Sequence, residues 1–195
     1  MRYVAFFFLI LLATGLTNQA DAQPVSMPLP DTAPYLLPDA PTFELTITQF
    51  RQQFSQQFPT TPLQEFRAIK TGSMQKLVTI AATKISETIY ASTALEVGTA
   101  KIKSIQLTWL PVPGNQATAS RQQAMSYILN MIHFFSPQLT TKQCQEHLER
   151  LLTIGKGKSY TLSNEGPVRY ILSDKGEGGM TFAAEPVKLV LSDAQ

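Results

Sequence analysis

The chain has 195 residues, 15% of them charged, a formal net charge of +2, a single Cys and two His. Its basic residues are scattered, with no block able to neutralise a row of phosphates, which argues against a nucleic-acid partner. Cys144 has no second Cys to pair with, so no internal disulfide is available and the fold must rest on its hydrophobic core.

Arg2, the unbroken apolar run Val4 to Ala13, and the small-x-small site Ala20-Asp21-Ala22 read as a secretory signal peptide over residues 1–22, cut between Ala22 and Gln23. Ten apolar residues fall well short of the roughly 20 that a spanning helix needs, so no stable membrane anchor is expected. Arg2 and Asp21 leave with the signal, so the remainder keeps 15 basic against 13 acidic residues, again +2. Its length, 195 less 22 or 173 residues, suits one domain with a real core. The implied location is the periplasm.

Residues 23–41 carry Pro24, Pro28, Pro30, Pro34, Pro38 and Pro41, a density that forbids helix and ladder pairing. This predicts an extended arm, either a spacer or a partner ligand, in which Tyr35, Leu36 and Leu37 are apolar enough to dock on the domain over 42–195. Phe43, Leu45 and Ile47 alternate as a short strand or extended entry. Thr48 is placed to cap a helix carrying Phe50, Phe54 and Phe58, which Pro59 and Pro62 end. Leu63 to Ile69 is ambiguous, and Gly72-Ser73 turns the chain.

Leu77, Ile80, Ala81, Lys84, Ile85, Thr88 and Ile89 keep a three-and-four spacing, which predicts an amphipathic helix from about Met74 to about Leu95, closed by Gly98. The stretch Lys101 to Pro111 organises the rest. Ile105, Leu107 and Trp109 fall two apart among polar Lys103, Ser104, Gln106 and Thr108, predicting a half-buried strand that carries the sole Trp. Helices are expected over 117–135, with Ala124, Ile128, Met131, Ile132 and Phe135 inward, and after a cap at Thr140 or Thr141, with Leu148, Leu151 and Leu152 inward and Gly155 just past the end. Beyond them Tyr160 and Leu162, then Val168, Tyr170 and Leu172, then Met180, Phe182 and Ala184 alternate as strands around turns at 164–167 and 174–179. Val187 to Leu191 reads as a last strand or a tail helix. The class is α+β, several amphipathic helices on a mostly antiparallel sheet in a single domain.

Taken together, Ala33-Pro34-Tyr35-Leu36-Leu37, Gln49-Phe50-Arg51, Glu65-Phe66-Arg67-Ala68-Ile69, Ala91 to Glu96, Lys101 to Pro111, Arg169-Tyr170 and Thr181-Phe182-Ala183 give the chain a pattern that resembles the YiiQ-like family of exported enterobacterial proteins. The resemblance implies a periplasmic protein of unknown function and transfers no catalytic or binding residue.

Cys144 and His147 stand three apart on a predicted helix, hence on one face, where a thiol beside an imidazole begins either a cysteine nucleophile or a two-ligand metal site. Each needs further members. The other His, His133, belongs to a different helix, and Glu146 and Glu149 are ordinary solvated helical carboxylates. The expectation is therefore a buried inert thiol with a surface imidazole, and no cofactor or metal. Gly155 to Ser159 fails as a phosphate loop on spacing and context. Glu44, Glu65 and Glu185 are candidate acid–base partners only if the fold unites them. The reading is a non-catalytic binding or interaction module engaging an envelope protein or polymer; the alternatives are an envelope hydrolase with a cryptic site and a small-ligand carrier.

Overall fold

Two antiparallel meanders meet along the predicted Trp strand. The structure, a computed structural model, describes residues 33–70, 77–114 and 116–188. In chain order it contains α1 (Ile47–Gln57), β1 (Arg67–Ile69), β2 (Val78–Lys84), β3 (Ile89–Glu96), β4 (Ile102–Trp109), α2 (Gln116–Phe135), α3 (Thr141–Gly155), β5 (Thr161–Glu165), β6 (Val168–Asp174) and β7 (Met180–Pro186). The seven strands form one sheet in the order β1-β2-β3-β4-β7-β6-β5, and every pairing in it is antiparallel. The α+β expectation holds.

The predicted helix over 74–95 is instead the hairpin β2–β3, closed by a turn in which the amides of Ile85 and Ser86 both donate to Ile89 O, at 2.9 and 3.1 Å. A three-and-four spacing of apolar residues coexists here with a dense supply of β-branched residues, among them Val78, Thr79, Ile80, Thr83, Thr88, Ile89 and Thr93. Such side chains suit a pleated, half-buried surface. Pairing of β3 with β4 decides the matter, since it gives the hairpin's inner strand a ladder on both edges. Residues 71–76, with the expected Gly72-Ser73 turn, lie outside the described residues, as do 1–32 and most of Val187 to Leu191; Val187 and Lys188 themselves continue past β7 without regular structure.

Elsewhere the corrections are local. Thr46, not Thr48, caps α1 through a capping box with Gln49, and Thr140 caps α3 in the same way with Gln143. The alternating Phe43–Ile47 segment makes a single bridge, Thr46 to Lys101. Its backbone bonds to both the N–H and the C=O of Ile102, filling the ladder where pairing with β7, which begins at Ile105, has not started. Gly155 is the last residue of α3 and not the residue after it; a Cβ there would sit 3.0 Å from Thr161 Cγ2, so the glycine allows α3 to close on β5. In β5 the phase is the reverse of that expected, with Thr161 buried and Leu162 48% exposed.

The helices cover one sheet face. Ile105, Leu107, Trp109, Tyr170, Leu172, Met180 and Phe182 from the strands pack with Ile128, Met131, Ile132, Leu148 and Leu151 of α2 and α3 in one core. Phe50 and Phe54 of α1 meet Phe134 and Phe135 at the end of α2, with ring centroids 5.0–5.8 Å apart. Gly179 closes the β6–β7 turn at φ +97°, and a Cβ on it would lie 2.7 Å from Trp109 O, so the turn requires glycine.

The second face bears mostly small and polar side chains, with Ile171 and the exposed Leu162 as apolar exceptions on β6 and β5, and the end of the Pro-rich arm crosses it. That arm is not uniformly extended: Pro34–Leu36 form a 3-10 turn. It is held by Lys103 Nζ donating to Leu37 O at 3.0 Å and by an exposed Lys188–Asp39 ion pair at 3.5 Å.

Candidate functional site

A β-bulge builds the site that strict alternation hides. In β4, Ile105 lies opposite Thr93 and Ser104 opposite Ala94, but Leu95 is opposite Ile102, so Lys103 is an extra residue. Strict alternation would aim Lys103 into the apolar core beside Ile105. The bulge instead lets Ile102 and Ile105 both face the core while Lys103 and Ser104 fall on the second face. This is why β4, expected to be half-buried, is buried on both faces in its first half: Lys103 is 3% and Ser104 6% exposed.

Register then assembles a polar row. Ser104 lies beside Glu185 of β7, since Ile105 pairs with Ala184, and Glu185 pairs with Arg169 of β6. Ser104 Oγ donates to Glu185 Oε1 at 3.4 Å. Glu185 and Arg169, with Lys103 and the arm, line a cleft of about 240 Å³, whose further walls are Pro34, Tyr35, Leu37, Pro41 and Val187. Burial raises the Glu185 carboxyl above its ordinary value, against the pull of Arg169 and Ser104. The Tyr35 hydroxyl is raised by burial and then by the Glu185 charge, so this arm residue reaches the same row. Within the described residues neither Lys103 nor Arg169 has a carboxylate within ion-pair distance, and the buried Arg169 Nε has no hydrogen-bond partner. Buried donors are nearly always satisfied, so an unmatched one beside a cleft is a functional signal.

The residues singled out from sequence form a second, closed cluster. Cys144 is completely buried, and His147 is only 2% exposed, not at the surface. The fold places His147 Nδ1 3.8 Å from Glu165 of β5 and 3.5 Å from Arg150, with its ring edge-on to Tyr170 of β6 at 5.3 Å. Tyr170 shares a 2.7 Å hydrogen bond with Ser136. Burial, then Glu165, raises the Cys144 thiol, the opposite of what a thiolate nucleophile requires. His133 instead lies against Phe58, with ring centroids 5.9 Å apart and planes tilted by 51°. Glu146 pairs with Lys142 at 3.7 Å and Glu44 with Lys101 at 2.6 Å. Glu44, Glu65 and Glu185 do not form one acid–base group, and no three His, Cys, Asp or Glu side chains among the described residues gather as a metal set.

Two outcomes follow from this burial. Cys144 is expected to stay unmodified by a bulky thiol reagent in native buffer and to react fully in denaturant, followed by absorbance; fast stoichiometric labelling of the folded protein contradicts the packing. The second concerns acid. Burial first, then Arg150, lowers the His147 imidazole below its ordinary 6.5, despite the opposing Glu165. The folded state therefore holds His147 neutral while the unfolded chain protonates it more readily. The contribution is complete above about pH 6.5 and is lost as pH falls below that value towards the folded pKa. Glu185, with its raised carboxyl, acts with the opposite sign at lower pH, so the comparison must be internal. Melting temperature should fall more from about pH 7.5 to about 5.5 in the wild type than in His147→Gln; equal slopes refute the assignment.

A wider groove of about 790 Å³ lies at the sheet end between Trp109, Pro111, Val112, Pro113, Arg121 and Glu177. Two of its polar side chains, Arg121 and Trp109, are already partnered. Arg121 forms a fork to Asp174, at 2.5 and 3.2 Å, and lies over the Trp109 ring at 5.4 Å, while Trp109 Nε1 donates to Ser120 Oγ at 3.1 Å.

Fold and site define an α+β protein with one helix-covered sheet face and one face crossed by an arm that roofs a charged cleft. The chain belongs to the family described as "Protein of unknown function (DUF1454)", whose model matches residues 7–193. It is 49% identical over 191 residues to "Uncharacterized protein YiiQ" of Escherichia coli (strain K12), covering 96% of this chain and 94% of that one, in agreement with the resemblance read from its motifs. No solved structure matches. No helix among the described residues is long and apolar enough to cross a membrane.

Proposed function

We propose that the chain is a non-catalytic binding module of the cell envelope, exported to the periplasm by the signal read over residues 1–22. The cleft under the arm carries this reading. There Lys103, Arg169 and Glu185 converge from three neighbouring strands beside apolar walls, which is the usual make-up of a recognition site. The Cys144–His147–Glu165 grouping gives a hydrolase less support, because its thiol is buried and raised and chemistry there needs an accessible thiolate.

A photo-crosslinking residue at Leu37, which is 47% exposed and lines the cleft, tests the reading in intact cells. Adducts to a defined envelope protein or polymer should form there and be missing with the same probe at Ile154 on α3, 48% exposed. Identical adduct patterns at the two positions, or none at either, would count against a binding module acting through this cleft.

A further inference from the structure

The charge in the cleft is unbalanced. Lys103 and Arg169 bring two positive groups, and Glu185 the one acidic side chain of the inner row; at the rim Lys188 and Asp39 neutralise each other at 3.5 Å. Lys103 is almost fully buried, and its ammonium, with three N–H donors, makes one hydrogen bond among the described residues, to Leu37 O. The Arg169 guanidinium has a buried Nε without a partner among the described residues. A nearly buried ammonium and a partly buried guanidinium share one carboxylate, Glu185, and leave a positive excess that is costly to the free protein, and an anion that accepts from both would relieve that cost. One excess positive charge suits a monoanion better than a phosphate, which carries nearer two charges at neutral pH. The cleft is below the roughly 300 Å³ at which drug-sized pockets begin, so it suits a small head or a chain end. Pro34, Leu37, Pro41 and Val187 supply apolar contact for the body behind that head.

From this geometry we infer that the cleft between the arm and strands β4, β6 and β7 binds a terminal carboxylate on a small apolar body, held by Lys103 and Arg169. The source is either a free small acid or the C-terminus of a peptide. The inference rests on the binding-module reading and gives that site its ligand chemistry. It also carries a pH signature. Glu185 is faced by Tyr35 from the arm, Lys103 and Ser104 from β4 and Arg169 from β6, and its carboxyl is raised. Because its carboxyl is raised, Glu185 loses its charge on acidification sooner than an ordinary carboxylate, removing a charge that repels the ligand, while a ligand α-carboxyl with pKa near 3.5 stays ionised, so binding should tighten as the pH falls from neutrality.

The test is calorimetric or NMR titration of the purified chain with N-acetyl-leucine, its amide analogue N-acetyl-leucinamide, and an acetylated tripeptide ending in a free leucine carboxylate. The carboxylate probes should bind at least about tenfold more tightly than the amide. Lys103→Met and Arg169→Gln should each abolish most of that preference, with circular dichroism and melting confirming that each variant is folded. Tighter binding of the tripeptide than of N-acetyl-leucine assigns a peptide end; the reverse assigns a free acid. Equal binding of acid and amide, or unchanged preference in both folded variants, overturns the carboxylate assignment while Leu37 adducts keep the binding module standing. No binding of any probe up to about 10 mM also overturns it. Should Arg169→Gln fail to fold, Lys103→Met decides, since it keeps the buried stem and removes only the charge.

Discussion

Trp109→Ala is expected to cost about 3–5 kcal/mol, a large share of the roughly 5–15 kcal/mol that holds a domain together. Trp109 is 3% exposed at the end of β4, paired with Ile89 on one side and Met180 on the other. Its indole N–H reaches Ser120 on α2, and Arg121, one residue on, lies over the ring. Truncation therefore opens a cavity and also frees the start of α2 from the sheet. Because this is the sole Trp, the variant must be followed by far-UV circular dichroism in urea. Leu110→Ala, at a neighbour 49% exposed, should stay within about 0.5 kcal/mol. A Trp109 variant losing less than about 1 kcal/mol would show that the core does not close over the indole as described.

Phe50→Ala should be nearly as damaging, again about 3–5 kcal/mol, for a different reason. Phe50 is fully buried. It stacks on Phe135 at 5.4 Å with 12° between planes, meets Phe134 edge-on at 5.0 Å and tilts against Phe54 at 5.4 Å. Such ring pairs add about 0.5–1.5 kcal/mol beyond area burial. They are the main link between α1 and the end of α2, so the loss should be felt first there, as faster amide exchange along α1 than in the sheet. Phe50→Ala with Phe135→Ala should cost less than the sum of the two singles, because the rings share one cluster. Strict additivity, or exchange rising uniformly through the sheet, contradicts this picture. Gln53→Ala, on the exposed side of α1, is the control.

These two residues were legible in the sequence as core, and for the same reason: each recurs at the period of its element, two for Trp109 and three to four for Phe50. The hairpin β2–β3 was not legible in this way. Its apolar residues fit the helical period as well as the strand pattern, and the deciding term is long-range, the ladder that β4 offers to β3. Among functional candidates, Cys144 and His147 were visible as a pair on one helix face. Their burial was not, because Glu165 and Tyr170 arrive from β5 and β6, about twenty residues further along.

The cleft is the clearest case of a site hidden from sequence. Lys103, Arg169 and Glu185 are ordinary charges in alternating strands, and Lys103 by strict alternation belongs with Ile105 and Leu107. One signal was available: a Lys-Ser pair interrupting an otherwise regular apolar face is what a bulge leaves in a sequence. The local code, period and capping and turn residues, determined that the chain is α+β, that Trp109 and the Phe stripe are core, and where α2, α3 and the last three strands lie. Tertiary structure decided the hairpin, the burial of His147 and the convergence of charge beneath the arm. These depend on which strands become neighbours and in what register, and that is fixed by backbone pairing and burial across the whole sheet.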